Sequence, residues 1–212
     1  MSDALTIQRF ALGDFMTNCY VVHGESKTCW LVDVGDNPAA MLDYLEQHEL
    51  TPERIILTHA HADHVAGVRE ASERWPDAEI LIHEAERDFL ADPELNLSAA
   101  IGASVTAPGA TNLLRHGDTL SFEGRDFQVR HTPGHSPGGI TIYSAREGVA
   151  FVGDAIFAGS IGRYDFPTSD GPTLLRAIRE QILTLPDDTR LLPGHGPETT
   201  VGQEKVTNPF VQ

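Results

Sequence analysis

Short apolar runs recur along the chain, each closed by Gly, Pro or a small polar residue, and they alternate with stretches of helical spacing. Cys19-Tyr20-Val21-Val22-His23 and Thr28-Cys29-Trp30-Leu31-Val32 read as two strands around a Gly24-Glu25-Ser26-Lys27 turn. β-branched and aromatic residues suit a pleated surface, whereas Gly and Ser suit the reversal. The run Ile55-Ile56-Leu57-Thr58 predicts a buried strand, and further strands are predicted over residues 80–83, 119–122, 127–131, 140–144, 149–153 and 190–193. Helical spacing falls at residues 39–48, 65–75, 84–90 and 173–183, while residues 92–115 are weakly patterned and read as a flap or a connector. Early strands, a middle helical block and late strands fit two packed sheets flanked by helices, an α/β (α+β) architecture, better than one doubly wound sheet.

The strand ending at Thr58 leads into His59, His61, Asp63 and His64, a density of metal-ligating side chains that packing does not require. A strand-to-helix loop can aim neighbouring side chains at one point, and the amides of the starting helix favour nearby negative charge. Imidazole with carboxylate suits zinc, iron or manganese, because calcium and magnesium want mostly oxygen ligands. The plainer alternative is a polar loop whose histidines are solvated or cap the helix.

Four residues in one short loop cannot enclose an ion, so further ligands are expected downstream. His135 in His131-Thr132-Pro133-Gly134-His135, Asp154 after Val149-Ala150-Phe151-Val152-Gly153, and His195 after Leu191-Leu192-Pro193-Gly194 each follow an apolar run and lie beside Gly or Pro. Such residues let the backbone turn tightly around a site. Singly, an Asp after a strand can equally cap a helix, and a His beside Gly can be a solvated turn residue. His23, His48, His83 and His116 lack this context, and His131 is expected only to support the pocket.

Thr58-His59-Ala60-His61-Ala62-Asp63-His64, followed by His135, Asp154 and His195 and preceded by Leu31-Val32-Asp33-Val34-Gly35, resembles the ordered motifs of the metallo-β-lactamase superfamily. The resemblance covers nearly the whole chain and implies an αββα sandwich, the metallo-β-lactamase fold. It further implies two divalent metal ions, zinc in the first instance with iron or manganese as the other choices. His59, His61 and His135 would hold one, Asp63, His64 and His195 the other, and Asp154 would bridge, with Asp63 and Asp154 also serving catalysis.

Composition agrees with that reading. A single domain over residues 1–212 is expected, since no linker or repeat interrupts the chain and a cut would separate ligands of one site. The net charge of −16 repels polyphosphate backbones and anionic lipids, so neither nucleic acid nor membrane is an expected partner. No apolar stretch approaches the roughly 20 residues of a membrane span, and Asp3 and Gln8 interrupt the amino-terminal segment, so a cytoplasmic location is the default. Cys19 and Cys29 fall out of register for a disulfide if their strands pair, and are expected as buried thiols. The oligomeric state is not legible.

The segment from Ala155 to Pro167, with Gly162-Arg163, resembles the glyoxalase II and persulfide dioxygenase branch, in which a Gly-Arg or Gly-Lys element borders the substrate. The stretch from Pro193 to Glu204, ending at Asn208-Pro209-Phe210, resembles the short glyoxalase II-like hydrolases. That resemblance implies hydrolysis of a small-molecule thioester such as S-lactoylglutathione. No segment matches the basic carboxyl-terminal extension with which larger glyoxalase II enzymes hold glutathione. Arg163 is the candidate substrate contact, through a substrate carboxylate, and an ion pair with an acidic neighbour is the equal alternative. A one-iron persulfide dioxygenase using His59, His135 and Asp154 is the second function implied, and lactone or β-lactam hydrolysis the third.

Overall fold

The computed structural model describes residues 5–212; Asp3 lies outside them. The described residues divide into two compact units, one formed by residues 5–82 and 86–113, the other by residues 83–85 and 114–212.

The first unit is built on a six-stranded sheet in the order β1 (Thr6–Leu12), β2 (Thr17–His23), β3 (Thr28–Val32), β4 (Thr51–Ile56), β5 (Glu79–His83), β6 (Asn112–Leu114). β1, β2 and β3 pair antiparallel, and β3, β4 and β5 pair parallel. Parallel neighbours need crossovers. Helix α1 (Ala39–Gln47) makes the first, and α2 (Ala62–Val65) with α3 (Val68–Arg74) makes the second. Met41, Leu42 and Leu45 of α1 and Val68 and Ala71 of α3 pack with Val21, Leu31, Ile55, Leu57, Ile80 and Ile82. Each fully buried aliphatic side chain contributes about 1.5–3 kcal/mol.

The second unit carries the sheet β14–β13–β10–β9–β8–β7. Its strands are β7 (Thr119–Phe122), β8 (Arg125–His131), β9 (Ile140–Ser144), β10 (Val149–Gly153), β13 (Arg190–Pro193) and β14 (Thr199–Thr200), with a small hairpin of β11 (Ile156–Phe157) and β12 (Ser160–Ile161). β10 and β13 are the parallel pair. Helix α4 (Gly171–Ala177) runs between them, and α5 (Val201–Thr207) follows β14. Leu174, Ile178 and Ile182 pack against Ala150, Val152 and Leu191.

The structure alters four expectations. β1 and β6 were not marked by alternation; β6 lies in the weakly patterned stretch and is held there by Thr111, which exchanges hydrogen bonds with Ile80. The expected helix over 65–75 breaks at Ala66-Gly67, because Gly67 donates its N–H to Val34 O rather than continuing the turn. Residues 84–90 form two short turns, Glu84–Glu86 and Phe89–Ala91, since the Glu86 side chain is drawn inward. The helix over 173–183 widens after Ala177, where Leu183 N–H reaches Ile178 O. Cys19 and Cys29 are buried thiols, and burial pushes the Cys29 thiol up to about 12. Among the described residues no helix is long and apolar enough to cross a membrane.

Candidate functional site

In the first unit the chain leaves β4 and places His59, His61 and His64 side by side. The His59 ring lies 4.7 Å from His61 and 4.0 Å from His64 between centroids. All three side chains are buried, including their Nε2 atoms. Their orientation is set by Asp33 at the end of β3. Its carboxylate accepts Thr58 N–H at 2.8 Å, the Thr58 hydroxyl at 2.7 Å and His64 Nδ1–H at 2.8 Å. Because that hydroxyl donates to Asp33, it accepts from His59 Nδ1 at 3.2 Å. Both rings therefore carry the proton on Nδ1 and present Nε2 as the lone-pair nitrogen, the form a metal needs.

Asp63 is held by Thr17, whose hydroxyl donates to Oδ2 at 2.8 Å. The same oxygen lies 3.5 Å from His64 Nε2. The loop backbone is fastened by the buried Glu86, which accepts Ala60 N–H at 2.6 Å. Close approach of the Asp33 loop depends on Gly67, where a Cβ would stand 2.3 Å from Gly35 O.

In the second unit β10 and β13 end together, with Gly194 N–H bonded to Gly153 O at 2.9 Å. The parallel pair thus delivers Asp154 and His195 to one point, as the carboxyl ends of parallel strands commonly do. Asp154 Oδ2 lies 3.5 Å from His195 Nε2 and 3.5 Å from His135 Nε2. His135 comes from the loop after β8. Its Nδ1–H donates to Arg163 O at 2.8 Å, so Nε2 again is the lone-pair nitrogen. The loop is anchored by α4, with Asp170 N–H on Gly134 O and the Ser169 hydroxyl on His135 O.

The donor atoms within each unit have the spacing of metal ligands. Bonds of about 2.0–2.1 Å in tetrahedral geometry separate neighbouring ligand atoms by about 3.4 Å. The three nitrogen-to-oxygen separations of 3.5 Å, His64–Asp63, His135–Asp154 and His195–Asp154, match that spacing and exceed an ordinary charged hydrogen bond. All seven residues expected from the sequence belong to groups able to hold a metal ion.

Arg163 is placed differently from its companions. Its guanidinium makes two hydrogen bonds of 2.9 Å to Asp165 and lies 4.4 Å over the Phe166 ring. This is the ion pair with an acidic neighbour that the sequence offers as the alternative role of Arg163. Arg163 holds the Asp165 carboxyl below the usual carboxylate range. What reaches His135 from Arg163 is the backbone carbonyl. His131 supports the same loop, its ring bonded to Pro137 O at 2.9 Å and stacked on His83 at 4.0 Å. Thr17, Glu86 and the Arg163 carbonyl escaped the sequence reading because none carries a ligand-like motif. For Asp33, the Leu31–Gly35 segment was the available signal.

Residues 12–195 match the metallo-beta-lactamase superfamily. The chain belongs to this family, and membership supports a metal-dependent hydrolase as the class of protein. It is 37% identical to "Probable metallo-hydrolase YqgX" of Bacillus subtilis over 96% of each chain, and 32% identical to "Hydroxyacylglutathione hydrolase GloC" of Haemophilus influenzae over 98% of each. Among solved structures, the BLEG-1 B3 metallo-beta-lactamase superposes with a TM-score of 0.94 at 39% identity, covering 98% of this chain and 100% of that one. TTHA1623 in a di-iron-bound form gives 0.85 at 38% identity, covering 96% and 99%. The fold is the metallo-β-lactamase fold.

Proposed function

We propose that the two donor sets serve one dinuclear centre and that the protein hydrolyses a small-molecule thioester of the S-lactoylglutathione type. His59, His61 and His135 would hold one divalent ion, Asp63, His64 and His195 the second, and Asp154 would bridge. The observation that carries this reading is the Asp154 carboxylate oxygen, placed at equal 3.5 Å distances from two imidazole nitrogens. Bound there, two such ions supply an ionised water near neutral pH and polarise a carbonyl. The chain's own part is to set the tautomer and aim of the imidazoles through Asp33, Thr58 and the Arg163 carbonyl, and to hold the carboxylates in place through Thr17 and the strand ends.

The likeness to the hydroxyacylglutathione hydrolase of Haemophilus influenzae supports the thioester. The di-iron form of a 38% identical structure supports two ions and leaves zinc, iron and manganese as candidates. A cytoplasmic location belongs to the same proposal. β-Lactam hydrolysis is the second reading, favoured by the likeness to a B3 metallo-beta-lactamase.

Metal analysis of the purified protein, with parallel assays of S-lactoylglutathione hydrolysis, hydrolysis of a chromogenic cephalosporin and persulfide-dependent oxygen uptake, tests the proposal. Two metals per chain with thioester turnover is the expected result. One iron per chain with oxygen consumption would overturn it, and cephalosporin turnover without thioester turnover would move the substrate to the second reading.

A further inference from the structure

The hairpin β11–β12 touches two of the proposed ligands. Phe157 sets its ring edge against His195, with centroids 6.0 Å apart. At the hairpin's exit Gly162 passes so close to the site that a Cβ there would stand 1.9 Å from Asp154 O and 3.0 Å from His135 Nδ1. The next residue, Arg163, offers the carbonyl that accepts His135 Nδ1–H. The position of this short hairpin therefore decides the tautomer and aim of His135 and the packing of His195.

Two strands of two residues each cannot hold such a position by their own pairing. The restraint comes from α5. Glu204 and Asn208, one helical turn apart, are both fully buried. Glu204 Oε2 accepts the Gly159 N–H at the hairpin turn at 2.9 Å, and Asn208 Nδ2 donates to Ser160 O at 2.9 Å. Asn208 also donates to Glu204 Oε2 at 2.8 Å, and the Thr199 hydroxyl donates to Oε1. A carboxylate with three donors and an amide locked to it form a rigid clamp, because breaking any of these bonds would strand a polar group at full burial.

We infer that Glu204 and Asn208 are positioning residues for the metal ligands, acting through the hairpin on His135 and His195. The inference rests on the metal-binding reading given above. Glu204 lies nine positions beyond His195 in the chain, so a side chain remote from the ligands in sequence governs their geometry through the backbone of a third segment. Residues that orient metal ligands from behind typically change affinity about 10–100-fold when removed.

The test uses the full chain with Glu204→Gln, Glu204→Ala and Asn208→Ala, read by zinc affinity in competition with a chelator and by the His135 Nδ1–H resonance of the metal-free protein. Glu204→Gln keeps an acceptor for Gly159 and can turn its amide toward the Thr199 oxygen, so wild-type affinity and an intact resonance are expected. Glu204→Ala and Asn208→Ala are expected to lose about 10–100-fold in zinc affinity and to lose the slowly exchanging resonance together. Near-UV circular dichroism confirms folding, and Asn208→Ala carries the test if Glu204→Ala does not fold. Folded variants in which affinity and resonance both persist, or in which only one changes, would overturn the inference. A wild-type chain that takes up no zinc would instead refute the metal-binding reading, and the resonance of Asn208→Ala would still decide whether the clamp sets His135.

Discussion

His64 donates its Nδ1–H to Asp33 across 2.8 Å, with both side chains sealed from solvent. The same carboxylate binds Thr58 twice, so one acidic residue at the end of β3 sets the rings of His59 and His64 together. Asp33→Asn replaces one acceptor by a donor that must face either Thr58 or His64. Zinc affinity is expected to fall about 10–100-fold, measured by chelator competition. Unchanged affinity would remove Asp33 from the orienting role.

Gly162 should tolerate no side chain. Its Cβ would overlap Asp154 O, a backbone atom that cannot swing aside. Gly162→Ala is expected to lower stability by about 1–3 kcal/mol in urea unfolding and to reduce metal content, because the displaced atoms belong to Asp154 and His135. A variant with full metal content and an unshifted midpoint would contradict the close approach.

Stability should respond to acid through His83. Burial, and then the stacked His131, lower its pKa from 6.5 to about 4, with His116 acting in the same direction and Glu84 and Asp118 opposing. The unfolded chain takes up the proton first as pH falls below about 6.5, so the native state loses stability between there and about pH 4. After allowance for solvent screening the loss is on the order of 2 kcal/mol. His83→Gln should flatten that part of the pH profile relative to wild type. Parallel profiles for the two proteins would exclude His83 as a contributor.

Charge should govern encounter with an anionic thioester. At a net charge of −16 the protein repels such a substrate, and salt screens the repulsion beyond a Debye length of about 8–10 Å. kcat/KM for S-lactoylglutathione should therefore rise with ionic strength between about 10 and 150 mM salt. Asp165→Asn removes the carboxylate that occupies Arg163 and is expected to lower KM for the anionic thioester without changing kcat. A KM that does not move would exclude Arg163 as a substrate contact.

Much of the architecture was legible because it is written at short range. β3, β8, β9, β10 and β13 announce themselves as apolar runs closed by turn residues, and a parallel strand end followed by Gly or Pro is a local signal. β6 was not, since three residues, Asn112–Leu114, show no period, and their place in the sheet comes from Thr111 bonding a strand some thirty residues earlier in the chain, at Ile80. Helix ends failed for a related reason. At Gly67 a carbonyl from the β3 loop competes with the helical acceptor, and no window around residue 67 contains Val34.

The amino-acid sequence by itself offered the ligand residue types, because they cluster within short segments, and it pointed to the superfamily and the metallo-β-lactamase fold through the resemblance of its ordered motifs. Tertiary structure alone decided which groups stand behind them: Asp33 under His64, Thr17 beside Asp63, Glu86 on Ala60, and the Arg163 carbonyl, rather than its guanidinium, on His135. Each is a hydrogen bond between distant chain positions, made only when folding brings the two groups together. Its partner is chosen by which backbones the packed sheets and helices bring within about 3 Å, a quantity with no trace in local pattern.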